Sequence, residues 1–335
     1  MNKILVTGGL GYIGSHTVVE LQQEGFEVVV IDDLSNSNKD VKQRIERITG
    51  KSLEVKIGNI NDSIVLDELF TAHRFDGVIH FAAFKAVGES VDFPVKYYHN
   101  NVSGLISLLA KMNEYGVSNL IFSSSCTVYG SPKTLPVDES TPIQKAESPY
   151  GTSKILCEDI ISDYVKHKEF KSILLRYFNP VGAHPSAQIG ELPLGVPSNL
   201  VPFITQTAAG IRNELTVYGN DYNTSDGTCI RDYIHVVDLA KAHVKALQYA
   251  DKMKVKIDAF NVGTGKGNTV LEVINAFESV NDIKLRYKLG ARRAGDVEQI
   301  FADTSKVNKK LGWSAQYDIN DMMKHAWAWE QGLTK

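Results

Sequence analysis

The sequence predicts an α/β protein built on a doubly wound parallel sheet, with a smaller C-terminal α/β lobe. Three observations carry that prediction. Short apolar runs alternate with helical patterns as far as residue 180, the order of a parallel sheet with crossover helices. A glycine-rich loop separates the first apolar run from the first helical pattern. The texture then changes after Pro180, where 182–199 and 219–228 are rich in Gly, Pro and small residues, and a length of 335 residues exceeds what one core usually fills.

Lys3-Ile4-Leu5-Val6-Thr7 reads as a short buried strand. Gly8-Gly9-Leu10-Gly11-Tyr12-Ile13-Gly14 follows directly and fits two registers, GxGxxG through Gly9, Gly11 and Gly14 and GxxGxxG through Gly8, Gly11 and Gly14. Glycine is needed there because the backbone must turn tightly, approach a pyrophosphate, and let the next helix, marked by Val18 and Leu21, pack on the strand. Further strands are expected at 27–31, 53–57, 77–81, 119–124 and 172–177. The second of these ends in Asp32, eighteen residues past Gly14, where a carboxylate accepts hydrogen bonds from a ribose diol and repels a 2′-phosphate. NAD is therefore favoured over NADP. Pro149 opens a helix that carries Tyr150 and Lys154, four residues apart and so on one face. A phenol titrates near 10 in water, so a neighbouring ammonium that favours the phenolate makes the pair a candidate acid/base. The boundary near 180 separates a cofactor lobe, 1–180, from a substrate lobe, 181–335.

These motifs together resemble the extended short-chain dehydrogenase/reductase superfamily, whose triad is Ser, Tyr and Lys; Ser125, at the end of Asn119-Leu120-Ile121-Phe122-Ser123-Ser124-Ser125, supplies the third member. Four further blocks sharpen the likeness: Phe81 to Ser90, Ser123 to Gly130, Arg176 to His184 and Arg231 to Val236. They are similar to blocks of the UDP-glucose 4-epimerase family, in that family's order and over nearly the whole chain. The resemblance implies a Rossmann-type sheet that the chain revisits around 235–262. It implies an isomerase that inverts C4 of UDP-glucose and UDP-galactose through a 4-keto sugar held in place. Ser125, Tyr150 and Lys154 are its expected catalytic residues. Tyr150 takes the hydroxyl proton, Lys154 holds the ribose hydroxyls and favours phenolate, and Ser125 bonds O4.

The resemblance further assigns NAD to Gly8, Gly11, Tyr12, Ile13, Gly14, Asp32, Asp33, Asn36, Asn59, Ile60, Phe81, Ala82, Ala83, Lys85, Asn100, Ser123, Tyr150, Lys154 and Tyr177. It assigns the UDP-sugar to Lys85, Ser125, Tyr150, Phe178, Asn179, Asn199, Leu200, Tyr218, Arg231, Arg293, Asp296 and Ile300. Within that set Arg231 and Arg293 meet the diphosphate, Asp296 the uridine ribose and Tyr218 the uracil. Two positions depart from the family pattern. Asn59 stands where an acidic residue is frequent, and an amide still pairs with a purine edge. Ile300 stands where relatives carry Tyr or smaller residues, and its bulk leaves use of N-acetylated sugars open. A 4,6-dehydratase would carry Thr-Asp-Glu in place of Ser125-Cys126-Thr127, and both carboxylates are missing here. A uronic-acid epimerase would need a cation for the sugar carboxylate, and a non-catalytic NAD sensor would not need the triad. The superfamily also implies a homodimer, formed by helices over 92–115 and 150–167.

Composition fits this reading. With 36 basic and 39 acidic residues the net charge is −3, which offers no general attraction to nucleic acid or to an anionic membrane. The apolar stretches are too short to span a bilayer, and the chain opens on a strand instead of a leader, so a cytoplasmic location is expected. Cys126, Cys157 and Cys229 show neither CxxC nor a disulfide framework, and the nine histidines show no metal-ligand spacing.

Overall fold

The computed structural model describes residues 2–293 and 296–333. Six strands follow in chain order: β1 (Lys3–Thr7), β2 (Glu27–Asp32), β3 (Glu54–Ile57), β4 (Gly77–His80), β5 (Asn119–Ser125) and β6 (Lys171–Tyr177). The chain then leaves this sheet through β7 (Asn179–Val181), β8 (Leu215–Tyr218) and β9 (Ile230–His235), and β10 (Ile257–Val262) returns to it. Strands β11 (Gly267–Thr269), β12 (Tyr287–Gly290) and β13 (Gln299–Ile300) complete the smaller sheets. The expected strands are present with ends shifted by a residue. β5 runs on to Ser125, which places that hydroxyl at the carboxyl edge of the sheet.

The main sheet is parallel, in the order β10-β6-β5-β4-β1-β2-β3. Both of its faces are covered, so β1 is apolar at successive positions instead of alternating. Ile4 and Val6 enter one core with Val28 and Val30. Leu5 enters the opposite core with Val29 and Ile31. Each such side chain contributes about 1.5–3 kcal/mol on burial. From β1 the chain runs to β2 and β3 on one side, while β4, β5, β6 and β10 lie on the other. That reversal between β1 and β4 opens a crevice at the carboxyl ends of the strands.

The helix Val236–Ala250 packs beside the helix Tyr12–Gln23, with Val18 and Leu21 sharing a core with Val244 and Leu247. The second lobe has its own core of Val181, Ile204, Val217, Tyr233, Phe277 and Met323. β7 pairs with β9 directly after β6 ends, so Asn179 lies opposite Tyr233, and Ile300 of β13 lies opposite Arg231. A small cluster of Cys126, Val128, Tyr129, Phe178, Ile300 and Ala302 joins the end of β5 to this second sheet. The stretch expected as one helix over 92–115 is instead Pro94–Tyr97 and Gly104–Glu114 joined by a π-helical turn, Tyr98–Ser103.

Candidate active site

The crevice is a cleft of roughly 650 Å³. Its floor is the glycine loop after β1. Gly8 sits at φ +68°, and a Cβ there would lie 2.8 Å from the Ala82 amide nitrogen. A Cβ on Gly14 would lie 2.2 Å from the Gly8 carbonyl oxygen. Side chains at either position are thus excluded by backbone, and the start of the helix Tyr12–Gln23 is left as a bare cradle at its positive end. At the end of β2, Asp32 is 6% exposed; its Oδ2 accepts the Leu10 N–H at 2.9 Å, and its Oδ1 accepts the Leu34 N–H at 2.9 Å and the Ser37 hydroxyl at 2.6 Å. A carboxylate has about four acceptor sites, so one remains for a ligand hydroxyl. Beside it, Asn59 Nδ2 donates to Asp33 at 2.8 Å. A cradle that a Cβ would fill, a helix N-terminus and a carboxylate at the next strand end fit a dinucleotide with an unphosphorylated ribose.

The other half of the cleft is built on β5, β6 and the helix Pro149–His167. Ser148 starts that helix by accepting the Gly151 N–H at 3.2 Å, and Pro149 occupies its first turn. This entry buries Tyr150 and Lys154 on the face turned to the sheet. Lys154 Nζ donates to the Ser123 carbonyl at 2.7 Å, stands 5.0 Å over the Phe122 ring and lies 5.9 Å from the Tyr150 ring centre. Ser123 and Tyr177 share a hydroxyl hydrogen bond. Ser125 Oγ accepts the Thr127 N–H at 3.2 Å. Burial holds the Tyr150 phenol well above the usual tyrosine range, nearby Tyr177 adds to this, and the Ser125 hydroxyl acts in the opposite direction. Burial also lowers the Lys154 ammonium to about 8, against the pull of Cys157 and Glu158. Desolvation of the Tyr150 phenol therefore outweighs the expected cationic push. Cys126 is buried with its thiol pushed up to about 12 by burial, the behaviour of a packing residue.

Two buried arrangements beneath these groups have no signature in the sequence. Arg176 donates to Glu158 through Nε at 3.0 Å and Nη2 at 2.6 Å, and through Nη1 to the Tyr129 hydroxyl at 3.1 Å. Tyr129 in turn donates to Asn261 Oδ1 at 2.6 Å. This network ties β6, the Tyr150 helix and β10 together below the reacting groups. In the π-helical turn, Asn101 accepts the Phe84 N–H at 2.9 Å and donates to the Phe84 carbonyl at 3.0 Å and to Ser153 at 3.1 Å. It fixes the loop after β4 against the Tyr150 helix, a use typical of π-turns near functional sites.

Every residue assigned to the cofactor lines this one cleft, and so do Phe178, Asn179 and Asn199. Tyr218, Arg231, Arg293 and Asp296 form a separate group outside the lining of this cleft. Arg293 donates to Asp296 at 2.8 and 3.2 Å, Arg231 Nη2 approaches the same carboxylate at 3.8 Å, and the Arg293 guanidinium lies 5.9 Å from the Tyr218 ring. Leu200 begins the helix Leu200–Ala208 and packs on the second core. Ile300 is 5% exposed and packs with Cys126 and Phe178, both of which line the cleft. Glu191, which the sequence reading passed over, accepts from both Lys85 and Asn199. No cluster of metal-ligating side chains occurs among the described residues, and no described helix is long and apolar enough to cross a membrane.

A family model described as GDP-mannose 4,6 dehydratase matches residues 5–326. A UDP-glucose 4-epimerase of Dictyostelium discoideum is 49% identical over 330 residues, covering 98% of this chain and 96% of that protein. The crystal structure of UDP-glucose-4-epimerase from Stenotrophomonas maltophila, with bound NAD and formylated UDP-arabinopyranose, superposes with a TM-score of 0.97 at 46% identity, covering 100% of this chain and 99% of that one. The structure of the Bifidobacterium longum enzyme in complex with NAD+ and UDP gives 0.95 at 44% identity, covering 99% and 98%.

Proposed function

The chain belongs to the UDP-glucose 4-epimerases, and on that premise we propose how its residues divide the inversion of C4 between UDP-glucose and UDP-galactose. The observation that carries the proposal is the meeting of Ser125, Tyr150 and Lys154 at the carboxyl end of β5, inside a cleft whose floor is a bare glycine cradle. The cofactor is NAD, which when bound supplies the acceptor and donor of the C4 hydride.

Tyr150 takes the proton from the sugar O4 and later returns it. Its raised phenol is a poor base by itself, so the phenolate depends on positive charge brought into the cleft with the cofactor and on Lys154 beside it. Lys154 holds ribose hydroxyls and Ser125 hydrogen-bonds O4. Gly8, Gly11 and Gly14 seat the pyrophosphate, and Asp32 the adenosine ribose. Residues 1–180 with the returning stretch 235–262 serve the cofactor, and 181–335 mainly the UDP-sugar. Arg231 and Arg293 grip the diphosphate, Asp296 the uridine ribose and Tyr218 the uracil. With the nucleotide held there, the 4-keto sugar turns its other face to the cofactor before O4 is reprotonated, so no net oxidation occurs.

Purified protein given UDP-galactose forms UDP-glucose without added NAD on this reading; absence of product with cofactor-loaded protein contradicts it. We further propose a homodimer formed through the helices flanking the π-turn and the Tyr150 helix, supported by exposed Val91, Phe93, Val95, Ile106 and Leu156 on that side. Light scattering showing only 37.0 kDa particles contradicts that. The three buried, unpaired cysteines are in keeping with work in the cytoplasm.

A further inference from the structure

Glu191 lies in the Gly- and Pro-rich loop between β7 and the helix Leu200–Ala208, with a side chain only 11% exposed. Its Oε1 accepts from Lys85 Nζ at 2.8 Å and from Asn199 Nδ2 at 2.7 Å. Its backbone carbonyl accepts the Trp329 indole N–H at 2.9 Å, which fixes the loop to the C-terminal helix. Lys85 stands 106 residues earlier, on the loop after β4, and its ammonium also lies 5.7 Å from the Tyr12 ring centre. Asn199 is the last residue before the helix Leu200–Ala208. One carboxylate oxygen thus joins the cofactor side of the cleft to its substrate side.

The charge of this arrangement matters as much as its shape. On the reading that Lys85 faces the sugar, its ammonium is already neutralised by Glu191 at 2.8 Å. A neutral hexose meets two donors, an ammonium and an amide, held side by side. A sugar carrying a C6 carboxylate would meet a cation whose charge is cancelled and a second carboxylate close by, an unfavourable pairing in a partly desolvated cleft.

We propose that Glu191 is a positioning and specificity residue, which aligns Lys85 and Asn199 for a neutral UDP-hexose and rejects a UDP-hexuronate. This rests on the reading that Lys85 and Asn199 meet the sugar end of the substrate. Glu191 makes no contact with the reacting atoms; it acts through its two partners.

The test compares the Kd of UDP-glucose and of UDP-glucuronic acid on the NAD-loaded protein. Glu191→Gln keeps the volume and one acceptor but removes the charge, and it should narrow the preference for the neutral sugar by about tenfold. Glu191→Asp keeps the charge and should hold the preference within about threefold of the parent. A preference unchanged in Glu191→Gln, or lowered equally by Asp and Gln, overturns the proposal, since the second pattern reports shape instead of charge. NAD content and thermal unfolding confirm that each variant is folded, and Glu191→Ala gives the same reading if the Gln variant is not. Lys85→Ala separates the two layers of argument. If it changes sugar affinity while Glu191→Gln does not, the Glu191 proposal falls and the site reading stands; if it changes neither sugar's affinity, both fall.

Discussion

Two arginine–carboxylate pairs in this molecule differ sharply in burial. Arg176 and Glu158 lie under the reacting groups with side chains 7% and 4% exposed, and further hydrogen bonds to Tyr129 and Ser124 satisfy them. Arg293 and Asp296 lie in the group with Tyr218 and Arg231, with side chains 56% and 12% exposed. The chemistry is the same, but the consequences differ. Desolvation makes the buried pair costly to break and useful for holding β5, β6 and the Tyr150 helix in one geometry. Solvent access on the Arg293 side makes the second pair cheaper to exchange, as the proposed diphosphate handle requires.

The largest effect is expected at the reacting group that the buried pair supports. Tyr150→Phe removes one hydroxyl and keeps the ring, so the protein should stay folded and NAD-loaded while kcat falls about 10³-fold. Near-normal turnover of the loaded variant would reject Tyr150 as the acid/base. Glu158→Gln should destabilise the protein by about 3–5 kcal/mol in urea unfolding, because the Arg176 guanidinium is left buried without its counter-charge. Arg293→Ala should change stability by less than about 1 kcal/mol, since its half-exposed guanidinium is screened by solvent and Arg231 stays beside Asp296. The same variant should raise KM for UDP-glucose about tenfold with a smaller change in kcat. Equal stability losses in these two variants would erase the contrast between the pairs.

A pH-dependent effect concerns Lys154, whose folded-state value of about 8 lies below the ordinary 10.5 because of burial. Between those two values the unfolded chain binds a proton that the folded chain does not, so this site's contribution to stability rises with pH there and is lowest below about 8. Lys154→Met should therefore unfold at a higher temperature than its parent at pH 7, in cofactor-free protein. The advantage should shrink between pH 8 and 10.5. An advantage that does not vary with pH would show that the ammonium is not desolvated.

The glycine cradle and the Tyr150–Lys154 pair were legible in the sequence because their signals are local. The glycine loop sits within seven residues, Asp32 follows at a strand end, and Tyr150 and Lys154 share a helical face. Strand positions followed from apolar runs, since a sheet buried on both faces leaves them uninterrupted. The remainder depends on contacts between distant segments. Glu191 reaches Lys85 across 106 residues from an irregular loop, and no period or spacing marks it. Asn101 gains its role from a π-turn inside what reads as an ordinary helix. The pairing of β7, β11 and β13 around β9 involves strands as short as two residues, below the length at which alternation can be read.

The central claim is that C4 is oxidised and reduced within one cleft, with Tyr150 handling only the O4 proton. UDP-galactose deuterated at C4 tests this most directly, when converted in ordinary water by the purified protein without added NAD and read by NMR. The account predicts UDP-glucose that keeps its deuterium at C4. Loss of that label to solvent would contradict the account, because it would mean that C4 is inverted by proton exchange and not by a hydride that leaves and returns.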